Sequence, residues 1–352
     1  MVKKKKVSNF KKFIIVLVTL LLLIGIVVGY AFYKKFYEPN VNYKAGEKNY
    51  LYIPTGSTLE SLVNSIQQKN IIIDSESFEW VAKYFHLQDN IHPGKYLLKP
   101  KMGNLQLVRL LKSGKQAPVE LVLKKFRLKK DLIHYVSSQL EVDSLSLDSV
   151  FNDIEFLKQL GFTPDNSIAV IIPNTYEFYW NTNAKKFFEK METEYKKFWT
   201  PDRLNKASDL GLTPIQVQTI ASIVEEETNH NDEKPIIASV YLNRLNKKME
   251  LEADPTVKYA IGDFTIKRIS LEMTRFISPY NTYQEKGLPP GPICTQSVST
   301  IDAVLNPAQT KYLYFCARPD SSGYHAFAET YAEQKKNAKL YHVELNKRGI
   351  HL

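Results

Sequence analysis

The stretch Thr213 to Thr228, TPIQVQTIASIVEEET, combines helix-start signals, an apolar stripe and three consecutive acids. Thr213 as N-cap, Pro214 at the first helical position and Gln216 three residues after the cap form a capping box, so a helix begins here. At about 100° per residue, Val217, Ile220, Ala221, Ile223 and Val224 share one face. Measured from Ile220, that face averages about +30°; Glu227 lies near about −20°, Glu225 near about +140° and Glu226 near about −120°. Of the three acids, Glu227 alone points with the apolar face. A carboxyl group set against apolar surroundings holds its proton to higher pH, as a general acid for glycosidic cleavage requires. The competing reading is a solvated charge run at a helix end that has already left the core.

Downstream, KPIIASVYLNRLNKK reads as a second helix able to pack beside the first, and LEADPTVKYAIGD follows. Asp254-Pro255 reads as an N-cap followed by proline at N1, so the default role of Asp254 is to start the helix TVKYAIG. SPYNTYQEKGLPPGPI places Tyr280, Asn281, Thr282 and Tyr283 before a stiff Gly-Leu-Pro-Pro-Gly-Pro turn. Tyrosine rings with amide and hydroxyl groups suit sugars, which offer an apolar ring face and many hydroxyls; core packing and a plain rigid loop are the competing readings. KYLYFCARPDSSGYHAFAET reads as a β-hairpin with a Ser-Ser-Gly turn, leaving His325 and Phe327 on the returning strand.

Upstream, residues 116–165 give a strand (PVELVLKK) and helices (LKKDLIHYVSSQL, SLDSVFNDIEFLKQLG), and AVIIPNTYEFYW reads as an apolar strand running into an aromatic turn. From Tyr50 the order is strand, TGS turn, two helices, strand and an amphipathic helix closed by Gly114. Ser57-Thr58 and Ser75-Glu76-Ser77 supply helix starts. This β-α-α-β unit looks like a LysM-type module, whose family binds N-acetylglucosamine-containing glycans; a spacer without sugar affinity is the alternative. Helices and strands mix without regular β-α-β alternation, so the class is α+β.

Farther toward the N-terminus, Phe13 to Tyr33 is an uncharged apolar run of 21 residues, and about 20 residues cross the hydrocarbon core as a helix. A cleaved signal peptide competes through the weak small-x-small site Gly29-Tyr30-Ala31, but its apolar region is usually about 7 to 15 residues. Six lysines (Lys3, Lys4, Lys5, Lys6, Lys11, Lys12) precede the run and Lys34 and Lys35 follow it, so the lysine-rich side stays cytoplasmic and the bulk lies outside the plasma (inner) membrane. These eight lysines account for most of the net charge of +10, and taking eight from ten leaves +2 on the rest of the chain. A nucleic-acid groove needs a concentrated basic excess; none is present, and nucleic acid is set aside as a partner. The expected organisation is thus a cytoplasmic tail over residues 1–12, a transmembrane helix over 13–33, a tether over 34–48, the LysM-like module over 49–115 and, over 116–352, a further region that holds the three acids and that the resemblance given below implies to be catalytic. The 13 residues from Phe36 to Lys48 could reach about 45 Å if extended. Cys294 and Cys316 make no disulfide framework and read as free thiols, with one bridge possible in an oxidising compartment. The seven histidines show no ligand spacing such as HxxxH, no GxSxG elbow occurs, and neither a metal nor a cofactor is implied.

The ordered series SIVEEET, ASVYLNRL, DPTVKYAIG, PYNTY, GLPPGPI, NPA, YLYF and HAF resembles the endolytic murein transglycosylase family known as MltG or YceG. The likeness runs over nearly the whole chain. It implies that the second acid of a Glu-x-Glu-Thr motif, here Glu227 followed by Thr228, is catalytic, the same acid that helical periodicity selects. Departures from the family pattern are Ile168-Ala169 in place of Glu-Gly, Ala328 after His-x-Phe, and Gln334 where histidine is common. The resemblance implies cleavage of the bond between N-acetylmuramic acid and N-acetylglucosamine in nascent strands, with closure of the muramic 6-hydroxyl on C1 to give a 1,6-anhydro end. One carboxyl suffices for this, acting as acid and then as base. Asn281, Tyr283, His325, Asp254 and Thr228 are the candidate sugar-orienting residues. Peptidoglycan glycan strands and the membrane are the implied partners, and peptidoglycan synthases a candidate partner class. Two other readings stand beside it: a muramidase using Asp254 or Glu225 as second carboxylate, and a non-catalytic, wall-binding membrane scaffold.

Overall fold

A computed structural model describes residues 9–42, 46 and 49–347; the expected cytoplasmic tail up to residue 8 lies outside them. The fold is mixed α+β and divides into two compact units, residues 1–119 with 178–181 and residues 120–177 with 182–352.

The first unit opens with α1 (Asn9–Tyr37), 29 residues long and therefore about 43 Å. Among the described residues it is the one helix long and apolar enough to cross a membrane. Of the segment 34–48 expected as a tether, the described residues up to Asn42 are helical or bonded to the first unit. The helix continues through Tyr37, and Phe36 packs against the unit's core. Asn40 and Val41 donate their N–H groups to the Met102 carbonyl at 2.9 and 3.1 Å, and Val41 is buried. The buried amide of Asn40 bonds Asn104 Oδ1 at 2.6 Å and the Asp74 carbonyl at 2.7 Å. Apolar burial and a satisfied amide together outweigh the freedom of a loose segment; residues 43–45 and 47–48 lie outside the described residues.

Then follow β1 (Tyr50–Ile53), α2 (Leu59–Gln68), α3 (Ser75–Tyr84), β2 (Gly94–Leu97) and α4 (Asn104–Ser113). β1 and β2 are antiparallel, Tyr50 opposite Leu97, with Leu51 and Ile53 buried while Tyr52 turns outward. Thr58 and Ser61 cap α2 reciprocally. For α3 the cap is Asp74, whose shorter carboxylate reaches the Ser77 N–H, rather than the serines that follow it. Gly114 ends α4 at φ +63°, a left-handed conformation that glycine adopts freely.

The second unit contains β3 (Val119–Leu123) and β4 (Asn174–Phe178), apart from their boundary residues Val119 and Phe178, and α5 (Lys129–Gln139), α6 (Ser144–Asn152), α7 (Ile154–Gln159), α8 (Ala184–Phe198), α9 (Pro201–Asp209), α10 (Pro214–Glu227), α11 (Lys234–Asn246), α12 (Asp254–Ile261), α13 (Val298–Leu305), β5 (Tyr314–Ala317), β6 (His325–Ala328) and α14 (Tyr331–Lys347). Two expectations need correction here. SLDSVFNDIEFLKQLG is two helices, because Asp153 leaves helical geometry and caps α7 through the Phe156 N–H. AVIIPNTYEFYW begins with a 3-10 turn, and the strand starts only at Asn174, after Pro173.

Helix α10 packs against α9, α11, α12 and α13. Its start is the expected capping box, with Thr213 and Gln216 bonding each other's backbone. Its burial is wider than a stripe: every residue from Val217 to Val224 is buried, including Gln218, Thr219 and Ser222. Two of them bond across the fold, Gln218 Nε2 donating to the Ala169 carbonyl at 2.9 Å and Ser222 Oγ accepting from the Ile293 N–H at 3.0 Å. The Pro-rich loop is pressed against the chain at Gly291, where a Cβ would stand 2.4 Å from the Asp165 carbonyl oxygen.

Candidate active site

The three acids ending α10 each meet a different environment. Glu225 turns to Lys234 (3.0 Å) and the hydroxyls of Ser297 and Thr300. Burial alone would raise its pKa, but the hydrogen bonds from Thr300 and Lys234 and the lysine charge outweigh that and lower it. Glu226 accepts from Lys125 at 2.8 Å and Arg127 at 3.0 Å. The side chains of these two acids are 13% and 11% exposed, so the solvated charge run is replaced by two paired carboxylates. Among the described residues no cation lies within salt-bridge distance of Glu227, and Lys258 acts on it only through its charge. Its Oε1 accepts from the Tyr241 hydroxyl at 2.6 Å, across from α11. Burial first, then the neighbouring Asp254 charge, push the Glu227 pKa up to about 7, against the lowering effect of the Tyr241 hydrogen bond and Lys258.

Glu227 lines a cavity of about 380 Å³, together with Tyr241, Arg244, Asp254, Tyr283 and His325, with Phe315 and Cys316 among the hairpin residues on its wall. That volume lies within the usual range of small-ligand sites, about 300–1,000 Å³.

Asp254 differs from its expected role. The N-cap of α12 is Ala253, which contributes no side-chain bond; Asp254 is the first helical residue and Pro255 the second. The Asp254 carboxylate instead accepts from the Tyr283 hydroxyl at 2.7 Å. Burial first, then this carboxylate, push the Tyr283 phenol far above its ordinary range, so it remains a hydrogen-bond donor. Asn281 is fully buried and does not line the cavity. Its Nδ2 donates to the carbonyls of Thr274 (3.0 Å) and Phe276, and its Oδ1 accepts from the Tyr283 N–H at 3.0 Å. Thr282 bonds the Ala253 N–H at 3.0 Å, tying this loop to the start of α12. Asn281 thus shapes the loop that presents Tyr283.

His325 stands at the start of β6, opposite Ala317 of β5. Its Nδ1 lies 2.9 Å from Glu233 Oε2, and its backbone N–H donates to Glu233 Oε1 at 2.7 Å. A carboxylate only accepts, so Nδ1 carries the hydrogen and Nε2 is the ring nitrogen left for the cavity. Thr228 caps the end of α10; its hydroxyl accepts from the His230 N–H at 3.1 Å and lies 3.4 Å from Glu233 Oε2. It is buried outside the cavity lining.

Tyr241, Arg244 and Glu233 did not stand out in the sequence. Tyr241 and Arg244 are three residues apart on α11 and therefore share a face, a spacing visible in VYLNRL. Arg244 donates to the Leu251 carbonyl at 2.8 Å and to Glu252. Both cysteines are free, Cys294 buried and Cys316 partly exposed.

The sequence profile of the YceG-like family matches residues 51–340. A Bacillus subtilis (strain 168) protein named endolytic murein transglycosylase is 28% identical over 308 residues, covering 82% of this chain and 83% of the relative. A protein of the same name from Streptococcus pneumoniae serotype 2 is 28% identical over 343 residues, 88% of this chain, while the alignment spans 62% of that relative's length. The crystal structure of a YceG-like protein from Listeria monocytogenes, 28% identical, superposes with a TM-score of 0.54 over 82% of this chain and 99% of the other.

Proposed function

The chain belongs to the YceG-like family, and from that premise we propose that it is a membrane-anchored lytic transglycosylase of peptidoglycan with Glu227 as its acid and base. The observation that carries this reading is the Glu227 carboxyl, its pKa pushed up to about 7 by burial, held by Tyr241 at 2.6 Å and facing a cavity of about 380 Å³ that Asp254 and the Arg244-paired Glu252 also line. Glu227 donates its proton to the oxygen bridging N-acetylmuramic acid and N-acetylglucosamine. The resulting carboxylate, stabilised by the Tyr241 hydroxyl, takes the proton of the muramic 6-hydroxyl as that oxygen closes on C1. One bond to C1 breaks and one forms, and Glu227 ends protonated again. Tyr283, locked by Asp254, and His325, oriented by Glu233, supply the polar contacts that place the sugar.

A muramidase keeps one supporting observation, the Asp254 carboxylate on the same cavity. Glu225, engaged by Lys234, Ser297 and Thr300, is no longer a candidate for that second carboxylate. Mass analysis of digested glycan strands separates the readings: transglycosylation leaves ends one water lighter than the reducing ends of hydrolysis. Undiminished cleavage by Glu227→Gln overturns the assignment, and absence of cleavage by both proteins favours the non-catalytic scaffold.

The anchoring reading places α1 across the plasma membrane with its lysine-rich start inside, so that glycan close to the outer face is the substrate and the synthases producing it are the implied partners. The β-α-α-β arrangement of residues 49–115 is the basis for proposing a LysM-like glycan-binding module, and residues 116–352 the catalytic region.

A further inference from the structure

Where α1 ends, its last turns are tied to α3 by aromatic rings. Trp80 meets Phe32 at 5.7 Å and Phe36 at 5.8 Å between ring centroids, and stacks on Tyr84 at 5.5 Å with 14° between planes. The Lys35 ammonium lies 4.8 Å from the Trp80 ring centre. Phe36 continues inward to the core, so helix and unit are joined without a hinge. Yet the outer rings are not covered: Tyr84 is 59% and Trp80 36% exposed.

The position of these rings along α1 decides what they face. The apolar run ends at Tyr33, so Phe32 marks the edge of a hydrocarbon core that about 20 residues span, and Lys34 and Lys35 begin the headgroup layer. Trp80 and Tyr84, packed beside Phe32 and Phe36, lie at that same boundary, where the amphipathic rings of tryptophan and tyrosine are favoured. The acids of α3 do not oppose this placement. Its first turn sits beside Asn40, past the end of α1, through the Asp74 N–H to Asn40 Oδ1 bond of 2.7 Å. Glu76 is therefore held farther from the lipid than Trp80, and Glu79 is paired with Lys83 at 2.6 Å.

We propose that Trp80, Tyr84 and Lys35 seat the first unit on the lipid headgroup layer, so that it rests on the membrane instead of swinging on a tether. This rests on the reading of α1 as a membrane anchor. Lys35 beside the Trp80 ring adds attraction to anionic headgroups, whereas Lys34 is paired with Glu38 at 3.7 Å. The seat is a lipid surface rather than a second protein because it continues the lipid-facing surface of α1 itself.

The test uses the full chain and its Trp80→Phe variant in vesicles of phosphatidylethanolamine and phosphatidylglycerol, with part of the lipid brominated either high on the acyl chain or near its end. The emission present in the natural chain and missing from the variant belongs to Trp80. It should be quenched more by the shallow bromines than by the deep ones and be shielded from aqueous iodide. If the chain floats with the vesicles but this component is untouched by either lipid and open to iodide, the seating is wrong while the anchor stands. If the chain does not float with vesicles, the anchor reading itself fails and the seating with it.

Discussion

Glu227 is governed by opposing local effects, and each can be removed separately. Burial holds its pKa near about 7, whereas the Tyr241 hydrogen bond pulls it down. Tyr241→Phe should therefore move the alkaline limb of the kcat/KM profile to higher pH, because the proton donor is retained longer, and lower the maximum, because the weaker acid gives up its proton less readily and leaves a carboxylate without its hydrogen bond; a pH–rate series reads both. The same shift affects stability. The folded value of about 7 lies above the ordinary 4.5, so the folded state binds the proton more tightly, and this contribution is full below about pH 4.5 and lost as pH rises through about 7. Glu227→Gln lacks that loss. Its stability relative to the natural chain should improve between about pH 5 and pH 8 by on the order of 1–3 kcal/mol, measured as denaturant midpoints at the two values. His325 depends on a residue 92 positions away in sequence. Glu233→Ala strips an acceptor from its ring and backbone and should destabilise by about 2–3 kcal/mol while raising KM for glycan; unchanged KM would leave Glu233 a purely structural residue.

Among the elements, α10 shows most clearly how a local signal meets its context. The capping box is written in four residues and forms as such. Thr213→Ala should cost about 1 kcal/mol, visible as a lower denaturant midpoint with an unchanged slope. The apolar stripe was a poorer guide, because α9, α11, α12 and α13 surround the helix and bury its polar residues as well. Periodicity nevertheless separated the three acids correctly by direction, since 100° steps place them on three sides of any helix regardless of its neighbours. It could not show that Glu225 and Glu226 would be paired, because Lys125, Arg127 and Lys234 come from other elements. Asp254 departs from its cap signal for a related reason. An Asp-Pro pair is a sound cap signal, but Tyr283, 29 residues later, offers its carboxylate a phenol donor instead.

At the scale of the molecule, the segment after α1 belongs to the first unit. A chain starting at residue 34 keeps Phe36, Asn40 and Val41, whereas one starting at residue 49 loses them. The shorter chain should be less stable by at least about 2 kcal/mol, from the burial of one valine and the amide contacts, and equal melting temperatures of the two would show that the docking contributes nothing. By itself the sequence determined the apolar helix, the α+β class, the caps of α2 and α10, the hairpin and Glu227 as the acid with the apolar face, because each follows from spacing within a few residues or from composition. Only the tertiary structure decided that Tyr241 is the partner of Glu227, that Asp254 restrains Tyr283, that Glu233 orients His325 and that Asn281 braces the loop carrying Tyr283. Those outcomes depend on which distant donors and acceptors folding brings within hydrogen-bond distance, and no local periodicity encodes that choice.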